Sequence, residues 1–310
     1  MPRVVFMGSP DFAVPSLEAL AREGYDVALV VTQPDRPAGR GGRVLAPAVR
    51  QVAERLGVPV VQPETLKDET VQATLRGTGA DIFVVAAYGK ILPRAVLSIP
   101  RLGCINVHGS LLPRWRGASP IAAAILAGDA ETGVSIMEMA VKMDAGPVIA
   151  RATVALGPDA TAGALEVELS IAGAEALVDT LPRWISGELK AEPQDEAAVT
   201  YCRTMAKVDG HLGSEMTARQ AERAVRAYDP WPGAYVEYRG ERLAVWRAHV
   251  EPASGATPGQ AVISGKVPAI AFYEGLLMLD EVQRPGSRRT TGMQYLNGIR
   301  GDWGGMVMLR

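Results

Sequence analysis

The chain has 310 residues, 48% of them hydrophobic and 21% charged, with a formal net charge of −2. That length predicts two domains, and the near-neutral balance leaves any nucleic acid to be held by local patches rather than by a global field. No apolar run approaches the roughly 20 residues needed to span a bilayer, and the two cysteines, Cys104 and Cys202, form neither a metal-ligand spacing nor a disulfide framework.

The opening, MPRVVFMGSPDF, reads as a strand over Arg3–Met7 entering a Gly8-Ser9-Pro10 turn, not as a signal peptide. A reducing cytoplasm is the expected location. Helical spacing follows over Pro15–Glu23, then a buried strand over Val27–Thr32, a helix over Ala48–Leu56 and a short strand over Val58–Val61. Lys67–Arg76 is helical, and Asp81–Ala87 and Gly103–His108 are strands. Alternating strands and helices imply a parallel sheet covered on both faces. Gly8 reads as a tight strand-to-helix turn, because the run lacks the G-x-G-x-x-G spacing of a dinucleotide site.

Ser119-Pro120 opens a helix ending at Gly128. Val134–Met139 and Val148–Val154 are a strand and its return, joined through Asp144-Ala145-Gly146-Pro147. Leu165–Leu181 is a long helix. Residues 187–206 have no period and read as a linker. After a short helix over Thr217–Ala227, brief strands between Gly and Pro turns suggest a small antiparallel barrel. Residues 208–310 carry 12 Lys and Arg against 11 Asp and Glu, so this part is hardly more basic than the rest.

The chemistry concentrates in INVHGSLLPRWRGASP, residues 105–120. Only three histidines occur, at 108, 211 and 249, and one lies here. Asn106 and His108 are two apart, so on a strand they share a face. A carboxamide N–H and an imidazole that changes charge near neutral pH suit a carbonyl whose oxygen becomes negative as a nucleophile adds. Alone, a buried His satisfied by backbone is the plainer reading. Asp144 is plainly a turn aspartate, unless it approaches His108 and orients its ring. Arg114 and Arg116 read as exposed loop arginines around a packed indole. Arg36, Arg40 and Arg43 lie in TQPDRPAGRGGRVLAP, whose composition reads as a long flexible loop, either plain solvent loop or a grip on phosphates.

These segments resemble the 10-formyltetrahydrofolate-dependent formyltransferase family, and in particular its members that act on methionyl-tRNA. The resemblance rests on GSPDF at 8–12, TQPDRPAGRG at 32–41, AAYGKILP at 86–93, CINVHGSLLPRWRGASPI at 104–121, AGDAETGVSIMEM at 127–139, MDAGP at 143–147, TYCRTMAK at 200–207 and DPWPGAY at 229–235. The Asn-x-His-x-Ser-Leu-Leu-Pro core is shared by the wider family, whereas RPAGRG and PWP point to the tRNA-directed members. Residues 208–216 lack the more usual acidic-aromatic pattern of those members.

The resemblance implies an α/β, Rossmann-like formyltransferase domain at 1–188, a linker at 189–207 and an OB-like, tRNA-binding β-barrel at 208–310. It implies formyl transfer from 10-formyltetrahydrofolate to the α-amine of methionyl initiator tRNA, for translation initiation. The family's central residues fall on Asn106, His108 and Asp144, and its folate-binding segment on Ser110, Leu111, Leu112 and Pro113. Its tRNA-reading loop falls on 32–47, with Arg40 where a side chain enters the acceptor-stem end. No metal, membrane or obligate protein partner is expected. The rival enzyme reading is formylation of a small amine, such as a purine precursor or amino sugar. A non-catalytic RNA-binding module is the rival from another class.

Overall fold

Apolar runs bounded by Gly and Pro become the strands of a central sheet. In chain order these are β1 (Arg3–Gly8), α1 (Val14–Arg22), β2 (Asp26–Val31), β3 (Arg36–Ala38), β4 (Arg43–Leu45), α2 (Ala48–Arg55), β5 (Val60–Val61), α3 (Glu69–Gly77) and β6 (Ile82–Ala86). There follow α4 (Arg94–Leu97), β7 (Cys104–His108), β8 (Arg116–Gly117), α5 (Pro120–Ala127), β9 (Glu131–Glu138), β10 (Val148–Ala155), α6 (Ala162–Ile185) and β11 (Tyr201–Cys202). The computed structural model describes residues 2–38, 43–252, 255 and 257–310.

The sheet order is β10-β9-β7-β6-β1-β2-β5. The five strands from β5 to β7 are parallel, and β9 and β10 extend them antiparallel. From β1 the chain runs outward to β2 and β5, then returns to β6 on the other side of β1. A crevice opens at the carboxyl ends of strands where order reverses in this way, and ligands of such sheets lie there. Gly8 ends β1 at that edge. A Cβ there would come within 3 Å of Ala13, the Ala86 carbonyl and Phe6, so close packing rather than turn geometry requires glycine.

One sheet face buries Val5, Met7, Phe83, Val85 and Cys104 with Leu75, Leu92 and Val96. Alternation puts Asn106 and His108 on the face of Cys104, and Ile105 and Val107 on the other. On that other face α6 lies close, because Gly173 presents no side chain to Val107 and Val134. A mostly parallel sheet of the Rossmann type, as the sequence predicts, thus carries His108 at the carboxyl end of β7.

Two sequence expectations are corrected. The arginine-rich segment is not simply an irregular loop: β3 and β4 pair antiparallel, Arg36 opposite Leu45 and Ala38 opposite Arg43. The physical reason lies in its pattern, two short extended runs around Gly-Arg-Gly-Gly, which is a hairpin composition. Residues 187–206 are also more than a connection. Glu192 and Val148 exchange two backbone hydrogen bonds of 2.8 Å, and β11 pairs in parallel with β8.

The molecule forms two compact units. The first holds residues 1–120, 131–155 and 166–203; the second holds 121–130, 156–165 and 204–310. Two stretches of the expected first domain therefore pack with the second unit. The cause is visible on the helix after the linker, α7 (Ala218–Ala227). Its Arg223 and Arg226 donate to the carbonyls of Ala127 and Ala160.

The second unit is built from α7, β12 (Tyr235–Tyr238), β13 (Glu241–Glu251), β14 (Ala261–Ser264), β15 (Val267–Phe272), β16 (Gly275–Gln283), β17 (Thr290–Thr291) and α8 (Gly292–Gly298). Thr217 with Gln220, and Thr291 with Gln294, form capping boxes that start the two helices. The antiparallel order is β12-β13-β16-β15-β14. Its two edges are joined by residues 305–308: Ala261 donates to Gly305, Val307 to Gly259, and Glu237 and Met308 bond each other in both directions. This closes the sheet into the OB-like barrel expected from the short strands. Among the described residues, no helix is long and apolar enough to cross a membrane.

The closing segment supports a prediction. Removing residues 305–310 deletes these bonds and the burial of Val307. At about 1 kcal/mol net per hydrogen bond, the barrel is expected to lose roughly 3–6 kcal/mol. A urea titration followed by tryptophan fluorescence reads this as a lower midpoint; an unchanged midpoint would show that the barrel holds without its seam.

Candidate active site

His108 ends β7 only 6% exposed. Its Nε2 lies 3.1 Å from the carbonyl oxygen of Trp115. A carbonyl only accepts, so Nε2 carries the hydrogen and Nδ1 is the nitrogen left for other work. Nδ1 faces Asp144, with Oδ1 at 3.8 Å. That gap exceeds a hydrogen bond yet keeps the two groups electrostatically adjacent. Asn106, half-buried, precedes His108 by two on the same strand face.

Asp144 has a left-handed backbone, φ +48°, and a carboxylate that is 16% exposed. Its Oδ2 accepts the Gly117 N–H at 2.9 Å, which leaves Oδ1 toward His108. Trp115 (φ +60°) and Ala87 (φ +44°) are left-handed too. Such conformations cost on the order of 1–3 kcal/mol each and gather at functional sites. Here all three lie in the loops that leave the sheet edge or cover it.

The segment between the imidazole and Trp115 is held by polar atoms from below. Ser110, fully buried, donates to the Arg114 carbonyl at 2.7 Å. The Ser135 hydroxyl donates to Ser110 O at 2.7 Å and accepts from Leu112 N at 3.0 Å. Arg151 Nε donates to Leu112 O at 3.0 Å. Leu112 is sealed against Met137 and Val148. Leu111 and Pro113 keep half-buried faces. Of the four predicted folate-binding residues, two therefore point into the protein in the sense of burial, and two retain accessible apolar surface.

The predicted arginines divide. Arg36 is exposed on β3, and Arg43 begins β4; Arg40 lies outside the described residues. Among the described contacts, no hydrogen bond or ion pair joins Arg36 to His108. The hairpin's root is pinned instead. Asp35 accepts from Gln62 Nε2 and Arg50 Nη1, both at 2.7 Å. The Gln62 hydrogen bond, then Arg50, holds the Asp35 carboxyl below its usual range.

Arg116 corrects the reading of exposed loop arginines. Its side chain is entirely buried, with Nε donating to Gln194 Oε1 at 3.0 Å and Nη2 to Glu196 at 2.8 Å; Arg114 is exposed as expected. Sequence reasoning missed Gln194, whose amide nitrogen donates to the carbonyls of Asp144 (2.8 Å) and Gly146 (2.7 Å). It also missed Thr200, whose hydroxyl accepts from Trp115 N at 2.9 Å. The available signal was compositional: this stretch lacks a period, yet after Gly187 it has none of the Gly and Ser of a flexible linker. Cys202 sits here too. Burial first, with the Asp144 charge adding to it, raises its thiol above the ordinary range.

The arrangement can polarise a carbonyl and manage one proton: an amide, an imidazole and a carboxylate gather at the carboxyl edge of the sheet. Two family models match, Formyl transferase over residues 2–181 and Formyl transferase, C-terminal domain, over residues 204–300. A methionyl-tRNA formyltransferase of Roseiflexus castenholzii is 48% identical over 301 residues, 96% of each chain. An N-formyltransferase from Helicobacter canadensis, solved with folinic acid and dTDP-3-aminofucose, matches with TM-score 0.68 and 15% identity, covering 92% of this chain and 100% of that one. HypX from Aquifex aeolicus, in complex with tetrahydrofolic acid, matches with TM-score 0.61 and 18% identity over 97% of this chain, which spans about half (48%) of that longer protein. At such identities the two structures show the fold alone.

Gly117 offers a direct test of the frame. At φ +123° its missing Cβ would collide with the Cys202 carbonyl, and its N–H holds Asp144. Gly117→Ala is expected to lower stability by about 2–4 kcal/mol and to depress activity further than the loss of folded protein explains. Thermal melts alongside turnover per folded molecule decide it; wild-type behaviour in both would refute the close approach of β8 and β11.

Proposed function

The chain belongs to the formyl transferase family, and we propose that it transfers a formyl group from 10-formyltetrahydrofolate to the α-amine of methionyl initiator tRNA, in the cytoplasm, at the start of translation. The observation that carries this reading is the 48% identity along 96% of a methionyl-tRNA formyltransferase, which spans both units. Formylation of a small amine uses the same core. The second unit does not discriminate, because a structure solved with an amino-sugar nucleotide covers 92% of this chain. The arginine hairpin and the level of identity favour tRNA.

The donor supplies a formyl carbon on a nitrogen that departs with a proton. The residues fit it: Leu111 and Pro113 offer half-buried apolar surface for a flat heteroaromatic ring, with Asn106 and His108 next in chain at the carbonyl end. In this reading the amine nitrogen bonds to the formyl carbon, the bond to the donor nitrogen breaks, and one amine proton ends on that nitrogen. Asn106 donates to the oxygen as it gains charge. His108 is fixed through Nε2–H on Trp115, so Nδ1 is the nitrogen that meets the reacting groups. Asp144 Oδ1, across 3.8 Å, orients the ring and takes part in removing the proton. Much of the acceleration comes from holding amine and formyl group together, worth roughly 7–11 kcal/mol in well-oriented reactions. Neither a metal nor a protein partner is invoked.

We assign the domain at 1–188 to donor and chemistry and the barrel at 208–310 to tRNA, joined through 189–207. Arg36, Arg40 and Arg43 are assigned to the acceptor end of the tRNA, where phosphate contacts position the substrate.

Asn106→Ala and His108→Ala are each expected to lower turnover about 100- to 1000-fold, the scale of one oxyanion donor. Folded variants with near-normal turnover on charged initiator tRNA would reject the assignment, and equal transfer to a small amine or water would reject the acceptor. Arg40→Ala is expected to raise KM for charged tRNA with folate affinity unchanged; parallel loss of folate affinity, measured by titration, would remove Arg40 from a tRNA role.

A further inference from the structure

We propose that Gln194, backed by buried Arg116, is a positioning residue for the Asp144 carboxylate. The proposal rests on the reading of His108 and Asp144 given above, and it extends the reaction machinery into the segment before the second unit.

The geometry defines the amide uniquely. Arg116 can only donate, so the Gln194 atom facing its Nε at 3.0 Å is the oxygen. The nitrogen then points the other way, and both its hydrogens are used, on Asp144 O at 2.8 Å and Gly146 O at 2.7 Å. These two carbonyls bracket the turn that carries Asp144 in its left-handed conformation. The carboxylate itself is gripped by the N–H of Gly117, the residue after Arg116. Asp144 is therefore held by its main chain and its side chain at once, and both grips originate in one assembly of β8 with the 192–202 segment.

Gln194 is not needed simply to attach that segment. Glu192 is paired with Val148 through two backbone bonds, and Thr200 O accepts from Arg116 N at 3.0 Å. The stretch is anchored on both sides of Gln194. Burying the guanidinium of Arg116 is costly, and among the described residues its Nη1 has no hydrogen-bond partner; such an arrangement is poor cement. It makes sense as a fixed donor that dictates which way the Gln194 amide faces. Without that amide, the strained turn is free to relax and Asp144 Oδ1 leaves its place opposite His108 Nδ1.

Two variants separate positioning from packing. Gln194→Met keeps the volume and removes both hydrogen-bonding roles. Gln194→Glu keeps a partner for Arg116 and sets an acceptor against two carbonyls. Both are expected to lower kcat about 10- to 100-fold, with KM for folate and for charged tRNA within about twofold of wild type, and to displace the pH profile of kcat. Should the methionine variant not fold, the glutamate variant decides alone. A kcat within twofold of wild type overturns the proposal. So does a lower kcat with an undisplaced pH profile and a melting temperature reduced in proportion, the mark of a purely structural role. Wild-type protein that transfers no formyl group would instead sink the functional reading, whatever the variants do.

Discussion

The carboxylate of Asp144 is where the constraints of the first unit meet. One oxygen is fixed by a main-chain N–H from β8 and the other is left facing an imidazole. A side chain on a turn would ordinarily sample several rotamers, and choosing one has an entropic cost. Here that cost is met by the strand before it, through Gly117, and by the segment far after it in sequence, through Gln194. The imidazole is fixed with equal care, since the Trp115 carbonyl selects its protonated nitrogen. The geometry of the proposed catalytic groups thus depends less on those groups themselves than on the backbone atoms that hold them.

The sheet explains why the proposed catalytic trio gathers where it does. Strand β7 delivers Asn106 and His108 to the crevice edge by simple alternation, while the β9–β10 return delivers Asp144. Close approaches at Gly8 and Gly173 let the covering elements settle tightly around this edge. The strain stored at Ala87, Trp115 and Asp144 is then supported by a rigid frame, a condition under which unfavourable backbone conformations persist.

Much of this was legible in the residues. The strand–helix alternation gave the parallel sheet because a buried strand reads as an unbroken apolar run, as in IFVVA of β6. Asn106 and His108 stood out through spacing, and Asp144 through a turn that also carries a family likeness. Illegible were the features made by contacts between remote segments. Arg116 looks like any loop arginine, because nothing local says that Gln194 and Glu196 will enclose it. Gln194 itself lies in a stretch without period, where pattern has nothing to report. The hairpin of β3 and β4 hid behind its glycines, which signal flexibility and tight reversal alike. Seam residues 305–308 are too short and irregular to declare themselves as a strand.

That seam has a kinetic meaning. Glu237 and Met308 bond across the barrel although strands β13 to β17 and helix α8 lie between them along the chain. Joining points so far apart along the chain carries a loop-closure cost that neighbouring hairpins do not. Topology alone therefore predicts that this line of the barrel closes late in assembly. By the same logic, the amides of Glu237 and Met308 are expected to exchange with solvent sooner than those in the middle of β16.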